Sequence, residues 1–221
     1  MKKKNRKYVV IPLLLLLLLV TVGGTVAWLT ATNTKTNTFT VGKFVKPAKT
    51  PDGTANNLDE FLTEPSWVTT AEHKLLPGVT YAKDPYVGIG KGSEDAVVYV
   101  QVTNPFSNKV YFTINEGWEA VPGETTVAAT GAPANSYTSG LFKYTAGLNN
   151  ATSGEVWTTT PLFSNVVVAN NATDVDFSVP QGTDPAITVK SFIHQAKDGS
   201  GQPIDDTTVI LPAAKAAFGI N

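Results

Sequence analysis

The 221-residue sequence contains no cysteine and only two histidines. The missing cysteines exclude disulfide bonds, thiolate zinc sites and cysteine nucleophiles, so packing and hydrogen bonds must stabilise the fold. Charged residues make up 16% of the chain and hydrophobic residues 42%, a balance that permits a core and argues against disorder. The length suits one globular domain preceded by an export signal.

Acidic residues are absent from the first 27 positions, where five of the 17 Lys and Arg residues lie. Without that segment the chain keeps 12 basic against 18 acidic residues, a net charge of −6. Nucleic-acid binding requires clustered Lys and Arg that neutralise phosphates. We therefore expect no nucleic-acid partner.

The first 27 residues have the three parts of a signal peptide. A basic stretch from Lys2 to Lys7 precedes an apolar run from Tyr8 to Val22, and small residues follow. We predict a signal peptide over 1–27, cut by a signal peptidase between Ala27 and Trp28. The alternative is a retained anchor, because the apolar run approaches the ~20 residues that span a bilayer.

Either outcome places the rest of the chain outside the cell, because the basic flank holds the N-terminus on the cytoplasmic side. We therefore predict a protein that is secreted, in the extracellular matrix or at the cell surface. It would touch the membrane only through an uncleaved signal segment.

Alternation of apolar and polar residues dominates the chain after the signal. Between Val98 and Val102 the valines share one face, and Tyr99 and Gln101 lie on the other. Similar short patterns, separated by Gly, Pro, Asn and Asp, occur at 110–114, 166–168, 175–179 and 187–193. They predict an all-β, jelly-roll-like antiparallel β-sandwich over residues 46–221.

The signal peptide is expected to be helical, and two short helices are expected after it. Leu58–Leu62 is long enough for one turn, and Asp206–Phe218 is expected to form a terminal helix despite Pro212. We expect two long loops, over Lys46–Asn57 and over the Gly-, Ala-, Thr- and Ser-rich segment Ala120–Gly140.

Short motifs follow one another along nearly the whole chain. They are GGTVAWLT from Gly23, TNTFTVG from Thr36, LPG from Leu76, KDPYV from Lys83, GW at Gly117, LFKY from Leu141, TTPLF from Thr159 and the strand Ile187–Gln195. In this order they resemble the TasA/camelysin family of exported proteins of Gram-positive bacteria. The resemblance implies processing by an ER-type signal peptidase and a jelly-roll domain that assembles into biofilm matrix fibres.

In fibres of this kind, the mature N-terminal strand of one subunit completes the sheet of the next. The resemblance assigns that role to residues 28–45, with Trp28, Leu29, Phe39 and Val41 as the donated apolar residues. Residues 28–40 include eight Thr or Asn, one charge at Lys35 and no proline, a composition compatible with strand addition. The alternative is that this segment is the domain's own first strand in a non-assembling surface binding module.

Enzymatic activity is not expected, although camelysin-type relatives have been described as metalloproteases. The two histidines, His73 and His194, are far apart in sequence, and there is no His-Glu-x-x-His motif. A zinc site would have to combine both with a carboxylate such as Glu72. The Gly-x-Ser-x-Gly elbow of serine hydrolases is also missing. We predict neither a catalytic residue nor a metal or cofactor site.

Three other groups of residues favour structural roles over ligand binding. Gly88–Gly92 lacks the spacing of a phosphate-binding loop and is expected to be a hairpin connection. The carboxylates Glu94, Asp95, Asp205 and Asp206 are expected in solvated turns, with calcium binding as the alternative. The tryptophans are expected to fill the core or its rim, with a carbohydrate platform as the alternative; they are Trp28, Trp67, Trp118 and Trp157.

Overall fold

A computed structural model describes residues 30–33, 44–56, 60–67, 74–149, 151–183 and 185–220. Within these ranges the chain is mostly β-strand. The strands are β1 (Thr30–Asn33), β2 (Leu62–Thr63), β3 (Thr80–Ala82), β4 (Tyr86–Ile89), β5 (Ala96–Thr103), β6 (Val110–Thr113), β7 (Trp118–Val127), β8 (Ser136–Leu148), β9 (Val156–Trp157), β10 (Asn165–Val168) and β11 (Thr188–Gln195). A 3₁₀ helix (Asp174–Phe177), a π-helical turn (Asp206–Ile210) and the α-helix α1 (Leu211–Phe218) complete the described elements.

The strands form two antiparallel sheets. The large sheet has the order β1-β11-β5-β8-β6-β10-β3, and β7 also pairs with β8. The small sheet has the order β2-β4-β9. The long strand β8 has three partners: it pairs with β6 at Ser136 and Tyr137, with β5 from Gly140 to Leu148, and with β7 between Tyr137 and Tyr144. Within the described ranges β1 and β3 therefore lie at the two ends of this order, and β7 is a further strand with a single partner, β8.

The main core lies between the two sheets. Val98 and Val100 of β5 and Ile89 of β4 are fully buried there, together with Phe112 and Phe163, whose rings stack at 4.3 Å between centroids. Phe44 also belongs to this core, so the segment 28–45 is joined to the domain at its C-terminal end. Burial of such side chains is the main favourable term in the stability of a sandwich.

The C-terminal segment covers the opposite face of the large sheet. Tyr99, Leu141 and Phe192 of three neighbouring strands pack there against Ile210 and Ala214. Both faces of β5 are consequently buried, which explains why Tyr99, on the face opposite the valines, is only 1% exposed.

The prediction of an all-β fold with antiparallel strands is confirmed. The strands expected around 98–102, 110–114, 166–168 and 187–193 correspond to β5, β6, β10 and β11. The terminal helix is also present, and the Asp205 carboxylate accepts a hydrogen bond from the Thr208 N–H at its start. Pro212 lies in the first turn of α1, directly after the π-helical turn, and the helix continues past it to Phe218.

Three local predictions are wrong. The strand expected at 175–179 is instead the 3₁₀ helix, because the Asp176 carboxylate accepts hydrogen bonds from the backbone N–H and hydroxyl of Thr173 and closes a turn. The loop expected over Ala120–Gly140 is occupied largely by β7 and β8, whose Thr and Val residues favour strands. Leu62, expected in a helical turn, pairs with Val87 in the small sheet.

The loop predicted from Lys46 is irregular through Asn56, apart from an isolated bridge between Lys49 and Ala55. Among the described residues, no helix is long and apolar enough to span a bilayer. The apolar run 8–22, on which the signal-peptide prediction rests, lies outside the described residues.

Candidate functional site

The β1 edge of the large sheet is the candidate functional site. β11 lies between β5, with which it pairs from Thr188 to Gln195, and β1. In the antiparallel register of β1 on β11, Thr30 lies opposite His194 and Asn33 lies opposite Ser191. We call residues 28–43 the arm, because β1 lies within them and Phe44 returns the chain to the core.

The predicted cleavage and donor residues fall outside the described part of the chain. These are Ala27, Trp28, Leu29, Phe39 and Val41. Cleavage after Ala27 and donation by the four apolar residues therefore stay predictions. The described part of the arm is the polar stretch Thr30–Asn33, and its backbone pairs with β11 of the same chain.

β11 is buried on both faces although it lies next to the edge. Its four central residues, Ser191 to His194, are each no more than 1% exposed. Phe192 belongs to the cluster beneath the C-terminal segment, and Ile193 belongs to the core between the sheets. A strand buried in this way needs a neighbour at its outer side, since its backbone N–H and C=O groups have little access to water.

His194 lies at the start of the β1 pairing and is fully buried. Its Nδ1 is 2.8 Å from the Gln195 carbonyl oxygen, and its ring stacks near Phe192 with 6.1 Å between centroids. Burial lowers the pKa of His194 below its ordinary value, opposed by the hydrogen bond to Gln195 and by the charge of Asp206. His194 is thus a packed residue near the end of β11.

The C-terminal segment is attached beside His194 by a polar cluster. The Tyr99 hydroxyl donates to the Asp206 carboxylate, with oxygen–oxygen distances of 2.9 and 2.8 Å. The Lys143 ammonium lies 2.9 Å from the same carboxylate. Burial and the hydrogen bond to Asp206 raise the pKa of Tyr99 well above its ordinary value, so the phenol stays protonated as a donor.

Ser191 is the one polar side chain on the inter-sheet face of β11 between Val189 and Ile193. It is 1% exposed, and its Oγ has no hydrogen-bond partner among the residues that the structure describes. Sequence reasoning missed it. A serine at an apolar position of an alternating strand was the available signal.

The glycine-rich segment Gly88–Gly92 is not a hairpin connection, because β4 and β5 belong to different sheets. Its glycines allow close packing. A Cβ at Gly88 would clash with the Trp157 ring, and one at Gly90 would clash with the Lys46 carbonyl. The Gly90 N–H donates to the Val45 carbonyl at 2.6 Å. This segment thus fixes Val45 and Lys46, which follow the arm, against the domain.

The four carboxylates considered for calcium do not form one site. Asp95 pairs with Lys197 at 2.7 Å, Asp205 caps the π-helical turn and Asp206 holds Tyr99. The described residues contain no group of three or more His, Asp or Glu side chains arranged to hold a metal ion. His73 and Glu72 lie outside the described residues, so the prediction of no zinc site is untested there.

The described tryptophans make contacts inside the domain. Trp118 is buried, and its Nε1 donates to the Thr160 carbonyl. Trp157 is half-buried and donates to the Lys49 carbonyl. The ring of Trp67 lies under the Lys83 ammonium, 4.8 Å from the ring centroid. Core and rim positions were expected for these rings; Trp28 lies outside the described residues.

The KDPYV motif has structural roles in this fold. The buried Lys83 ammonium lies 2.7 Å from a Glu64 carboxylate oxygen, and the Asp84 carboxylate accepts hydrogen bonds from the backbone N–H and the hydroxyl of Ser66. An open cleft of about 310 Å³ beside them is lined by Pro51, Asp52, Pro65, Ser66, Asp84 and Tyr86.

Comparison of the chain with protein-family models, with curated proteins and with solved structures gives no match.

Proposed function

We propose that this chain is an exported structural protein of the extracellular matrix or cell surface, built on a jelly-roll-like sandwich. It assembles into fibres when the arm of one copy pairs with β11 of the next copy in place of that copy's own arm. The signal-peptide pattern and the resemblance to the TasA/camelysin family support export and assembly. The pairing of the arm with β11 supports exchange of this strand between copies as the route of assembly.

The observation that carries the proposal is the position of β1. Within the described ranges it is an edge strand whose one neighbour is β11, and residues 34–43 separate it from Phe44. A connection of ten residues spans up to ~35 Å when extended, enough to reach an adjacent copy. The arm of a second copy would form the same backbone hydrogen bonds, so exchange conserves them.

Such an exchange is directional. The arm leaves from one place on the subunit and binds at β11 of another, so each added copy presents a vacant β11 or a free arm. Contacts of this heterologous kind extend into filaments when the rotation between copies does not close a ring. The pairing within one chain is then the closed form from which assembly begins.

The test compares the mature chain beginning at Trp28 with a chain lacking residues 28–37. Electron microscopy and sedimentation should show fibres of the first and folded monomers of the second. The matched control replaces the exposed Val127 and Val175 by Ser and leaves the arm intact. If the control also forms fibres, these exposed apolar side chains are not the cause of assembly.

Two alternatives give different outcomes in the same experiment. A non-assembling binding module stays monomeric at high concentration with its arm on its own β11, and a ligand raises its melting temperature. A metalloprotease of the camelysin kind loses casein cleavage on chelation and on His73→Ala. Either result would contradict the fibre proposal if the mature chain also fails to polymerise.

A further inference from the structure

Lys83 and Glu64 form the most buried of the described ion pairs. The Lys83 ammonium lies 2.7 Å from Glu64 Oε2, and the two side chains are 8% and 17% exposed. In each of the other described pairs the lysine side chain is at least 25% exposed. The ring of Trp67 covers the Lys83 ammonium on one side, with 4.8 Å from Nζ to the ring centroid. Water therefore has little access to this pair.

The surroundings of the pair do not satisfy its charged form. Removal of two charges from water is compensated by their attraction only when hydrogen bonds also satisfy the remaining lone pairs. Glu64 Oε1 is buried and has no hydrogen-bond partner among the described residues. An unpaired oxygen costs more on a charged carboxylate than on a neutral group. Transfer of one proton from Lys83 Nζ to Glu64 Oε2 removes both charges and leaves an amine beside a carboxylic acid.

An amine held beside a carboxylic acid can condense with it to an amide. The lone pair of Lys83 Nζ attacks Glu64 Cδ, which is one bond beyond Oε2 and thus near the ~3–3.5 Å separation of reacting atoms. Oε2 then leaves as water with the proton it has received and one further proton from Nζ, and Oε1 remains as the amide oxygen. The reaction consumes no oxidant or other reactant. Oriented neighbours reach effective concentrations of about 10⁵–10⁸ M, which offsets the tendency of water to hydrolyse amides.

We propose that Lys83 and Glu64 join in an intramolecular isopeptide bond. Glu64 directly follows β2, at one end of the small sheet, and Lys83 directly follows β3, at one end of the large sheet. The bond therefore connects the two sheets of the sandwich covalently. Disulfides supply such cross-links in many exported proteins, and this chain has no cysteine.

Mass spectrometry of the chain beginning at Trp28 tests the proposal. The intact mass should be lower than the mass of the sequence by one water molecule, and digestion should give a branched peptide in which Lys83 is joined to Glu64. Lys83→Arg keeps the positive charge and should restore the full mass. The control Lys197→Arg changes an exposed pair, with Asp95, that has the same 2.7 Å separation, and it should retain the water loss.

A full intact mass of the unsubstituted chain after prolonged incubation would overturn the proposal, and this measurement does not depend on the folding of any variant. Loss of water in a peptide that contains Asp52-Gly53 or Asp198-Gly199, without a branched peptide, would overturn it too. That result indicates a succinimide, which mild base opens, whereas an isopeptide bond survives the same treatment. A water loss that persists in Lys83→Arg would also assign the change to another site.

Discussion

The two sides of β11 differ sharply. Toward β5 the strand is paired along its whole length, and the opposing residues on β5 include Val98, Tyr99, Val100 and Val102, all buried. Toward β1 it is paired over four residues, and the opposing strand reads Thr-Ala-Thr-Asn. One side belongs to the core, and the other is a short polar edge.

This difference separates what holds the domain together from what can be exchanged. The apolar area buried between β5 and β11 stabilises the fold in any assembly state. The β1 side offers mainly backbone hydrogen bonds, which another copy can supply equally well. Four predictions test this contrast.

The largest effect is expected on the β5 side. Phe192→Ala removes a fully buried ring that packs beneath the C-terminal segment, 6.2 Å from the ring of Phe218. We expect the free energy of unfolding to fall by about 3–5 kcal/mol, measured by urea denaturation. Val175→Ala, at an 81% exposed position, is the control and should change stability little. If Phe192→Ala and Val175→Ala lower the free energy of unfolding equally, Phe192 does not contribute to stability as a core residue.

The next largest effect is expected in the C-terminal segment, which packs over Tyr99 and Phe192. Asp206→Asn weakens the acceptor for the Tyr99 hydroxyl and removes the ion pair with Lys143. The expected loss is about 1–3 kcal/mol, because a buried hydroxyl and an ammonium lose a charged partner. Amides of 206–218 should exchange with deuterium faster than in the wild type. The exposed ion pair of Lys197 with Asp95 provides the control. Lys197→Gln should leave the deuterium exchange of amides 206–218 unchanged.

Removal of the arm tests the β1 side directly. A chain beginning at Phe44 should remain folded and lose about 1–3 kcal/mol, as expected for a few cross-strand pairs at an edge. Circular dichroism shows whether the shortened chain is folded, and urea denaturation measures its free energy of unfolding. Failure of the shortened chain to fold would show that the arm is an integral strand, and the contrast between the two sides of β11 would not stand.

The smallest expected effect is a pH dependence at the end of the β1 pairing. Burial lowers the pKa of His194 below its ordinary value of 6.5. Above that value the imidazole is neutral in both states. As the pH falls through 6.5, the unfolded state binds a proton and the folded state does not, so the free energy of unfolding decreases. His194→Gln should flatten the pH profile between about pH 7 and pH 5. If His194→Gln leaves the pH dependence of the unfolding free energy unchanged, His194 is not the group responsible for it.

Sequence patterns predicted the elements whose side chains alternate strictly. The alternation of Val98 to Val102 identified β5, and the apolar residues from Ile187 to Ile193 identified β11. Those patterns reflect which face each residue presents to a core, and that information is local. The terminal helix was also predictable, although its polar attachment through Asp206 was not.

Tertiary partners decided the remaining elements. The segment from Ala120 reads as a loop because it contains Pro122 and Gly123 and is rich in Ala, Gly and Ser, yet it pairs with β8. Conversely, Val175 fits an alternating strand, yet the hydrogen bonds of Asp176 fold the segment into a helical turn. Strand formation depends on the neighbour that a segment finds, which a single sequence does not reveal.

The candidate site was partly predictable. The Thr- and Asn-rich composition marked the arm as a strand for addition, but the residues expected to anchor it were apolar. The paired segment is Thr30–Asn33, and the acceptor residue of interest is Ser191. Its partnerless hydroxyl became visible only from the burial and register of β11.

Cysteine cross-linking tests most directly whether the arm passes between copies, because the chain has no cysteine of its own. The variants Asn33→Cys and Ser191→Cys are mixed under assembly conditions and oxidised, since opposite residues in a sheet suit a disulfide. The account predicts a disulfide-linked dimer of the two variants. The control pairs Asn33→Cys with Lys190→Cys, which projects to the other face, and should give none. A disulfide that forms within the double variant but never between the mixed single variants would contradict strand exchange.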